Sequence, residues 1–336
     1  MHFNHSLEAL NVSEPQVVCA GEILVDIIPR EAGPYREGML LEAHFGGAPA
    51  NVAVGVARLG CRVAFVGSVG KDLFGDMLAE YLAGEGVFTG WLARKNARTS
   101  LAFVIVKPQG EREFFFYRPP WVQTADTLLE KSDIEWEAIR KAKVVHVSGV
   151  ALSQPPLRDT ILELMEEARE AGAHVSLDPN FRPDIWLGDI ERARAEFRAG
   201  LERSTAAMFG YDEMEPLLGT SSYEEAVSKV FSMAPHLKYA AVRLGSRGAY
   251  VATEEGERVL VDAFKVQAVD TTGAGDAWAA GFIVFALLEA RSLREAVLLS
   301  NAVAAMKCTK RGATTGMPKR SELQAFLRER GVHVKL

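Results

Sequence analysis

Cysteine is scarce in this sequence: only Cys19, Cys61 and Cys308 occur among 336 residues, and they lie far apart along the chain. Their spacing matches no zinc-binding motif, and three cysteines are too few for a disulfide framework. The first 15 residues also lack the basic stretch and apolar core of a secretory signal peptide. We therefore expect a cytoplasmic protein with reduced thiols.

Long apolar runs and an excess of positive charge are missing as well. The longest near-continuous apolar run, 277–288, has twelve residues, whereas a membrane-spanning helix needs about 20. Lysine and arginine number 38 against 44 aspartates and glutamates, which gives a net charge of -6. Such a surface does not attract nucleic acid or an anionic membrane, although it leaves room for a local site that binds a small anion.

Strand and helix patterns alternate along most of the chain. A buried strand near residue 17 continues into a second extended piece, a glycine-rich turn leads into a helix that ends at Gly60, and a buried strand follows. From Lys143 onward the alternation is regular, with strands at 143–150, 173–180, 206–211 and 239–245, and helices at 157–171, 190–203 and through Val230. This order predicts an α/β fold with a mostly parallel sheet covered by helices on both faces.

One β-rich segment interrupts the alternation. The runs LAFVIV and REFFFYR, separated by the turn KPQG at 107–110, predict a hairpin. Together with the segment near 26–45, the segment 99–118 is expected to form a small β lid that closes a site against water. We find no internal repeat or linker, so the prediction is one domain over 1–336.

Polar motifs follow several of the predicted strands, where open parallel sheets bind their ligands. In DTTGAGD, at 270–276, the backbone N–H groups of Gly273, Ala274 and Gly275 would point at an anion from the start of a helix. Asp276 would then accept a proton from a hydroxyl beside a phosphate. The alternative is a simple helix start capped by Thr272.

Two other phosphate motifs are excluded. A Walker loop needs a glycine five residues before its Gly-Lys pair, but Phe65 stands there relative to Gly70 and Lys71. The dinucleotide fingerprint fails because Trp278 occupies the position of its third glycine.

Further polar residues predict a site for a polyol and a phosphate. Gly46 and Gly47 allow close approach of a ligand, Asn51 both donates and accepts, and Asp26 accepts from hydroxyls. A tight turn before a packed helix is the alternative for these residues. In the motifs DPNFRP and FFFYRPP, Arg182 and Arg118 would supply cations for a phosphoryl group or an acidic substrate, unless each is a surface arginine.

Taken together, FGGAPANVAVGVARLG at 45–60 and VDTTGAGDAWAAGF at 269–282 resemble the two signatures of the ribokinase-like, or PfkB, family of carbohydrate kinases. The resemblance runs from about residue 17 to 327. It implies a three-layer α/β/α core with a mostly parallel sheet and a β lid, and transfer of the γ-phosphate of ATP to a sugar hydroxyl. It further implies Asp276 as the base, Gly273, Ala274 and Gly275 as the anion hole, and sugar contacts from Asp26, Gly46, Gly47 and Asn51.

The same resemblance assigns the nucleotide and metal positions. Asp270, Thr272 and Gly312 match a loop that binds a monovalent cation, usually K⁺, although Gly316 stands where some relatives have a serine. Glu213 matches the glutamate of an Asn-x-x-Glu motif that positions Mg²⁺ through water, with Gly210 in place of the asparagine. Residues expected near ATP are Arg243, Gly245, Gly248, Asn301 and Glu213.

Within the family, the stretches CAGEILVDIIP and DPNFRPDIW most resemble fructokinases. The alternative substrate is 2-keto-3-deoxygluconate, whose carboxylate Arg118 or Arg182 would hold. Trp121 and Gln123 depart from the fructokinase pattern, and ribose and nucleosides are less favoured. A non-catalytic sugar-binding protein is the alternative of another class. Relatives also suggest a homodimer through the lid, whose strand edges would pair.

Overall fold

The computed structural model describes residues 15–106, 112–118 and 121–336, and its centre is a nine-stranded sheet between two layers of helices. The strands are β1 (Val17–Ala20), β2 (Leu24–Pro29), β3 (Leu41–Gly46), β4 (Val63–Gly70), β5 (Leu92–Lys95), β6 (Leu101–Val106), β7 (Arg112–Tyr117), β8 (Val144–Ser148), β9 (His174–Asp178), β10 (Ala206–Gly210), β11 (Tyr239–Arg243), β12 (Ala249–Thr253) and β13 (Arg258–Val261). The helices are α1 (Ala48–Arg58), α2 (Leu73–Gly84), α3 (Trp136–Lys141), α4 (Leu157–Glu170), α5 (Ile190–Leu201), α6 (Tyr211–Leu218), α7 (Tyr223–Met233), α8 (Ala274–Phe282), α9 (Leu293–Cys308) and α10 (Arg320–Glu329).

The central sheet has the order β13-β12-β11-β10-β9-β8-β1-β4-β5. From β5 to β11 the neighbours are parallel, and only β12 and β13 join in antiparallel fashion. Strands β4 and β5 lie on one side of β1, and the later strands from β8 onward lie on its other side, so the strand order reverses at β1. Such a reversal opens a crevice at the carboxyl ends of the strands, where ligands bind in this architecture.

Both faces of the central sheet are buried, as the continuous apolar strands predict. Successive side chains of a strand point to opposite faces, so Val17 and Cys19 pack with α1, α2, α8, α9 and α10, whereas Val18 and Ala20 pack with α3 to α7. Cys19, Cys61 and Cys308 are free thiols. The α/β/α prediction is confirmed.

The second sheet has four strands in the order β3-β2-β6-β7. It uses both segments that the sequence assigned to a lid, since β2 and β3 lie in the first and β6 and β7 in the second. The pairing of β6 with β7 confirms the hairpin strands. Its turn, 107–110, and the predicted lead-in at 1–14 lie outside the described residues.

The apolar run after Asp276 forms a buried helix, as predicted, but not a uniform one. Helix α8 changes into a π-helical turn at Ile283–Leu288, and both parts are buried against α9. Within the described ranges, none of the helices is both long enough and apolar enough to span a membrane.

Candidate active site

A cleft opens where the strand order reverses, between the central sheet and the lid. Glu22, Val150 and Asn180 line it just beyond the ends of β1, β8 and β9, while Phe114 and Phe116 line it from the lid. The other residues that line this cleft are Leu24, Asp26, Gly47, Ala48, Asn51, Arg182, Thr272, Gly273 and Asp276. Predicted sugar, base and anion positions therefore meet in one place.

Helix α8 begins at the floor of this cleft. Its N-cap residue is Gly273, with a left-handed backbone (φ 74°), and no side chain caps it. The alternative in which Thr272 caps the helix is therefore wrong. A Cβ on Gly273 would stand 2.6 Å from the carbonyl oxygen of Ala313, so only glycine fits. The N–H of Ala274 already donates to the Thr271 carbonyl over 3.1 Å, which leaves Gly273 and Gly275 as the better candidates for an anion hole.

Asp276 lies in the first turn of α8 and is 8% exposed. Its Oδ2 accepts a hydrogen bond of 2.8 Å from Nδ2 of Asn51, in the first turn of α1. Burial raises the pKa of Asp276 to about 6, although the Asn51 bond opposes the shift. A carboxylate with this pKa is ionised at neutral pH and still accepts a proton readily.

The amide oxygen of Asn51 has no hydrogen-bond partner among the described residues, although it is buried. Since an unpaired buried acceptor costs about 1 to 3 kcal/mol, this oxygen is suited to a hydroxyl donor from a ligand. Asn51 thus orients the carboxylate of Asp276 and has one free acceptor in the cleft.

Two glycines make room for the acidic side of the cleft. A Cβ on Gly46 would lie 2.6 Å from Oδ2 of Asp26, and one on Gly47, where φ is 105°, would lie 2.6 Å from the carbonyl oxygen of Glu22. Asp26 sits on β2 opposite His44 of β3. Gly46 therefore lets β3 lie against the carboxylate of Asp26, and Gly47 lets the start of α1 lie against the backbone of Glu22 and Ile23.

Glu22 is a cleft residue that the sequence interpretation missed. It is 2% exposed, and it accepts hydrogen bonds from Oγ of Ser148 (2.6 Å) and from the N–H of Ala48 (3.2 Å). Burial raises its pKa to about 7, against the Ser148 bond. The available signal was its position two residues after the end of a buried strand and four residues before Asp26.

The lid aromatics were missed too, although their spacing was informative. Phe114 and Phe116 are two residues apart on β7 and therefore share one face, which points into the cleft. The guanidinium of Arg182 lies 5.8 Å from the ring centre of Phe114. The N–H of Phe116 donates to Oδ2 of Asp184 over 2.7 Å, so the lid is tied to the loop that carries Arg182.

Arg243 lies directly beside the backbone of the predicted anion hole. Its Nη1 donates to the carbonyl of Gly275 over 3.1 Å, and its two Nη atoms both donate to the carboxylate of Asp178. A Cβ on Gly275 would be 3.0 Å from this Nη1. Arg243, predicted to lie near ATP, thus places a fixed positive charge behind the first turn of α8.

Glu213 lies beside Arg243 and is held there by backbone hydrogen bonds. Its carboxylate accepts from the N–H groups of Gly210 and Phe181, both at 2.6 Å, and lies 3.7 Å from Arg243. Burial and the carboxylate of Asp178 raise its pKa, against the pull of Arg243. Within the described ranges, no group of three or more His, Cys, Asp and Glu side chains is arranged to hold a metal ion.

Three predicted nucleotide residues lie elsewhere in the described chain. Asn301 is buried between α8 and β13: its Oδ1 accepts from Nε1 of Trp278 (2.8 Å), and its Nδ2 donates to the carbonyls of Val261 and Asp262 (2.9 and 3.1 Å). Its side chain thus supports packing. Gly245 and Gly248 form the turn after β11 with positive φ, outside the cleft lining.

The structure also places Arg118 away from the cleft lining. Its side chain is fully buried, and Nε donates to Asp126 over 2.6 Å while Nη1 donates to Ser153 over 2.7 Å. Asp126 balances its charge, while Nη2 has no hydrogen-bond partner among the described residues. Arg118 is thus part of the framework beneath the lid, and its role as a substrate contact stays a prediction.

The predicted cation loop is assembled around Asp270. Its two carboxylate oxygens accept from the N–H groups of Thr272 and Gly312, each over 2.9 Å. Burial would raise the pKa of Asp270, but these bonds and the nearby ammonium of Lys307 hold it below its ordinary value. Lys307, which the sequence interpretation did not single out, donates to the carbonyl of Asp270 over 2.7 Å.

The comparisons with known proteins agree with the fold. The chain is 40% identical over 324 residues to the probable fructokinase-7 of Arabidopsis thaliana, covering 94% of this chain and 93% of the relative. The solved fructokinase from Xylella fastidiosa with bound ATP superposes with a TM-score of 0.83 at 30% identity, over 94% and 98% of the two chains. A double mutant of the Vibrio cholerae fructokinase, in a form with fructose, ADP and potassium ion bound, gives 0.82 at 31% identity, over 94% and 99%. The sequence profile of the pfkB family of carbohydrate kinases matches residues 14–320, and this chain belongs to that family.

Proposed function

We propose that this carbohydrate kinase is an ATP-dependent fructokinase, which transfers the γ-phosphate of ATP to a hydroxyl of fructose. The observation that carries the proposal is the Asn51–Asp276 pair, which puts a buried carboxylate of raised pKa beside the N-terminus of α8 and inside a cleft lined by polar groups. The fructokinase relatives support the choice of sugar.

In this proposal Asp276 accepts the proton of the attacking hydroxyl as the new O–P bond forms and the bond to the leaving ADP oxygen breaks. The N–H groups of Gly273 and Gly275, at the positive end of α8, stabilise the charge on the transferring phosphoryl group. Arg243, behind Gly275, adds a cation that is held in place by Asp178.

The charges of the cleft favour a neutral sugar. Glu22 and Asp26 line the same cleft as Arg182, so a substrate carboxylate in this cleft would share it with two acidic side chains. Carboxylate and amide oxygens of Asp26 and Asn51 are suited to sugar hydroxyls instead. A 2-keto-3-deoxygluconate kinase is the second candidate, and the one observation in its favour is the guanidinium of Arg182 in the cleft lining.

Mg²⁺ is proposed as the ion that accompanies ATP and neutralises its phosphates. Asp178 and Glu213 are the carboxylates beside Arg243, and both already accept hydrogen bonds, so contact through water suits them better than direct ligation. The cytoplasmic location stays a prediction from the sequence.

A homodimer through the lid is proposed from its exposed apolar side chains. Leu40, Leu41 and Tyr117 are 63%, 42% and 66% exposed on or beside strands β3 and β7. Apolar exposure of this kind on a sheet marks a candidate association surface. Analytical ultracentrifugation of the wild type and of Tyr117→Lys tests it, since a dimer through this face should dissociate in the variant.

The substrate is tested by a panel of sugars with saturating ATP and Mg²⁺, with ADP release followed in a coupled assay. We expect fructose to give the highest kcat/KM, and 2-keto-3-deoxygluconate a value lower by about tenfold or more, which corresponds to about 1.4 kcal/mol. A higher value for the acidic sugar would overturn the fructose assignment. Binding without turnover for every sugar would support a non-catalytic sugar-binding protein instead.

A further inference from the structure

Lys307 is an unusual residue at the end of α9. Its side chain is 0% exposed, and its ammonium donates to the carbonyl oxygen of Asp270 over 2.7 Å. Lysine is almost never fully buried unless its charge is compensated, because transfer of an ammonium out of water is costly. Here the compensating groups belong to the predicted cation loop, where the Asp270 carboxylate is also buried.

The loop around Asp270 is closely fastened to the end of α9. The N–H groups of Val269 and Asp270 both donate to the carbonyl of Cys308, next to Lys307 in the chain, over 2.8 and 3.1 Å. The carboxylate of Asp270 then joins Thr272 to Gly312 through its two hydrogen bonds. One ammonium and one carboxylate thus hold the two segments that form the loop.

This loop supports the anion hole directly. Ala313 follows Gly312, and its carbonyl oxygen lies where it would be 2.6 Å from a Cβ on Gly273. Because the two backbones touch, a shift of the loop would move the first N–H groups of α8. The ammonium of Lys307, which is bonded to the carbonyl of Asp270, therefore helps to fix the position of the N–H groups that would bind phosphate.

The residues present do not fit a K⁺ ion in addition to this ammonium. K⁺ needs a cage of oxygen ligands, but the Asp270 carbonyl meets an ammonium and both of its carboxylate oxygens meet N–H groups. Gly316, where the sequence resemblance would allow a serine hydroxyl, is so close to Lys307 that a Cβ would stand 2.3 Å from its carbonyl oxygen. A K⁺ ion bound to the oxygens of Asp270 would also be repelled by the ammonium of Lys307, which is bonded to the same residue.

We propose that the ammonium of Lys307 serves as a built-in monovalent cation, so that this enzyme needs no K⁺. The inference rests on the proposed kinase function for its activity readout. An alkylammonium and K⁺ carry the same charge, and both bind carbonyl and carboxylate oxygens. The lysine therefore supplies a positive charge that is always present, whereas K⁺ would have to bind from solution.

The test compares salts and variants. Sugar phosphorylation and melting temperature are measured in choline, sodium and potassium chloride at one ionic strength, for the wild type, Lys307→Ala and Lys307→Met. We expect the wild type to change by less than about twofold in rate among the salts. Lys307→Ala should lose about tenfold or more in choline chloride, and potassium should restore most of the rate and raise the melting temperature. Lys307→Met fills the same space without charge and should lose rate without such rescue.

Lys310→Ala, at an exposed lysine of the same loop, is the matched control and should behave as the wild type does. Strong activation of the wild type by potassium over choline would overturn the proposal, whether or not the variants fold. So would a potassium-dependent rise in its melting temperature with no such rise in sodium. If no sugar is phosphorylated in any salt, the proposed function fails, whereas the melting temperatures still test the role of Lys307.

Discussion

Asn51 and Asp276 are joined by a hydrogen bond of 2.8 Å across 225 positions of sequence, and this bond links the first turns of α1 and α8. Each helix start is formed by a short glycine-containing motif, and the fold brings the two motifs together at the reversal of strand order. The geometry of the proposed base, of the amide bonded to it and of the proposed anion hole thus depends on the packing of α1 against α8 inside one apolar layer.

Replacing the base should abolish most turnover while ATP still binds. Asp276→Asn keeps the shape of the side chain but cannot accept a proton, so kcat should fall by roughly 10²- to 10⁴-fold. The affinity for ATP, measured by calorimetry, should change by less than about threefold, because the N–H groups of α8 remain. Asp159→Asn, at an exposed aspartate of α4, is the control. A near-normal kcat in Asp276→Asn would refute the assigned base.

The same variant should be more stable than the wild type above about pH 6. Burial raises the pKa of Asp276 from 3.8 to about 6, so the folded protein binds a proton more readily than the unfolded chain there. The cost of ionisation is fully present above about pH 6, is lost as the pH falls, and is absent below 3.8. Asparagine removes it, a gain on the order of 2 to 3 kcal/mol at pH 7.5. Urea unfolding at pH 7.5 and pH 4 checks this, and an equal gain at both would contradict the ionisation argument.

The pH profile should report the same carboxyl group. Since Asp276 must be ionised to accept a proton, kcat/KM should decline with falling pH through about pH 6. The Asn51 bond lowers this pKa, so Asn51→Ala should move the acidic limb of the profile to higher pH. If kcat/KM of Asn51→Ala falls by the same factor at every pH, and the acidic limb of its profile stays at the same pH, Asn51 acts only on sugar binding.

Much of this site could be predicted because the motifs are contiguous and their groups are backbone or short side chains. Gly273, Asp276, Gly47 and Asn51 lie within two turns of a helix start, so local geometry fixes where they point. Long side chains are different, because their destinations depend on distant partners. Arg118 donates to Asp126 and to Ser153 beneath the lid, and no local sequence pattern predicts these two contacts.

Lys307 was missed for a related reason. A lysine in the last turn of a helix ordinarily interacts with the helix dipole at the surface, so its sequence position suggests nothing unusual. Its burial follows from the loop at 269–270, which bonds to Cys308 from 38 positions earlier in the chain. Only the folded chain brings the carbonyl of Asp270 to the ammonium of Lys307.

Asn301 gives a prediction that separates packing from nucleotide binding. Asn301→Leu would leave the indole N–H of Trp278 and the carbonyl of Val261 without their buried partner. Each such group costs about 1 to 3 kcal/mol, so the free energy of unfolding should fall by several kcal/mol. The KM for ATP of the folded fraction should stay within about threefold of the wild-type value. A tenfold rise in that KM, with an unchanged free energy of unfolding, would instead support the contact with ATP that the family resemblance implies for Asn301.

Gly275→Ala should impair catalysis without unfolding the protein. Gly275 lies within α8 with ordinary helical backbone, so alanine is tolerated there, but its Cβ would stand 3.0 Å from Nη1 of Arg243. The guanidinium must move away from the Gly275 carbonyl, and we expect kcat to drop by about tenfold or more. Gly84→Ala, at the end of α2 where a Cβ meets nothing within 4 Å, is the matched control and should gain up to about 1 kcal/mol of stability. Unchanged kcat in Gly275→Ala, together with a crystal structure showing Arg243 displaced, would mean that the cation behind the anion hole contributes nothing to transfer.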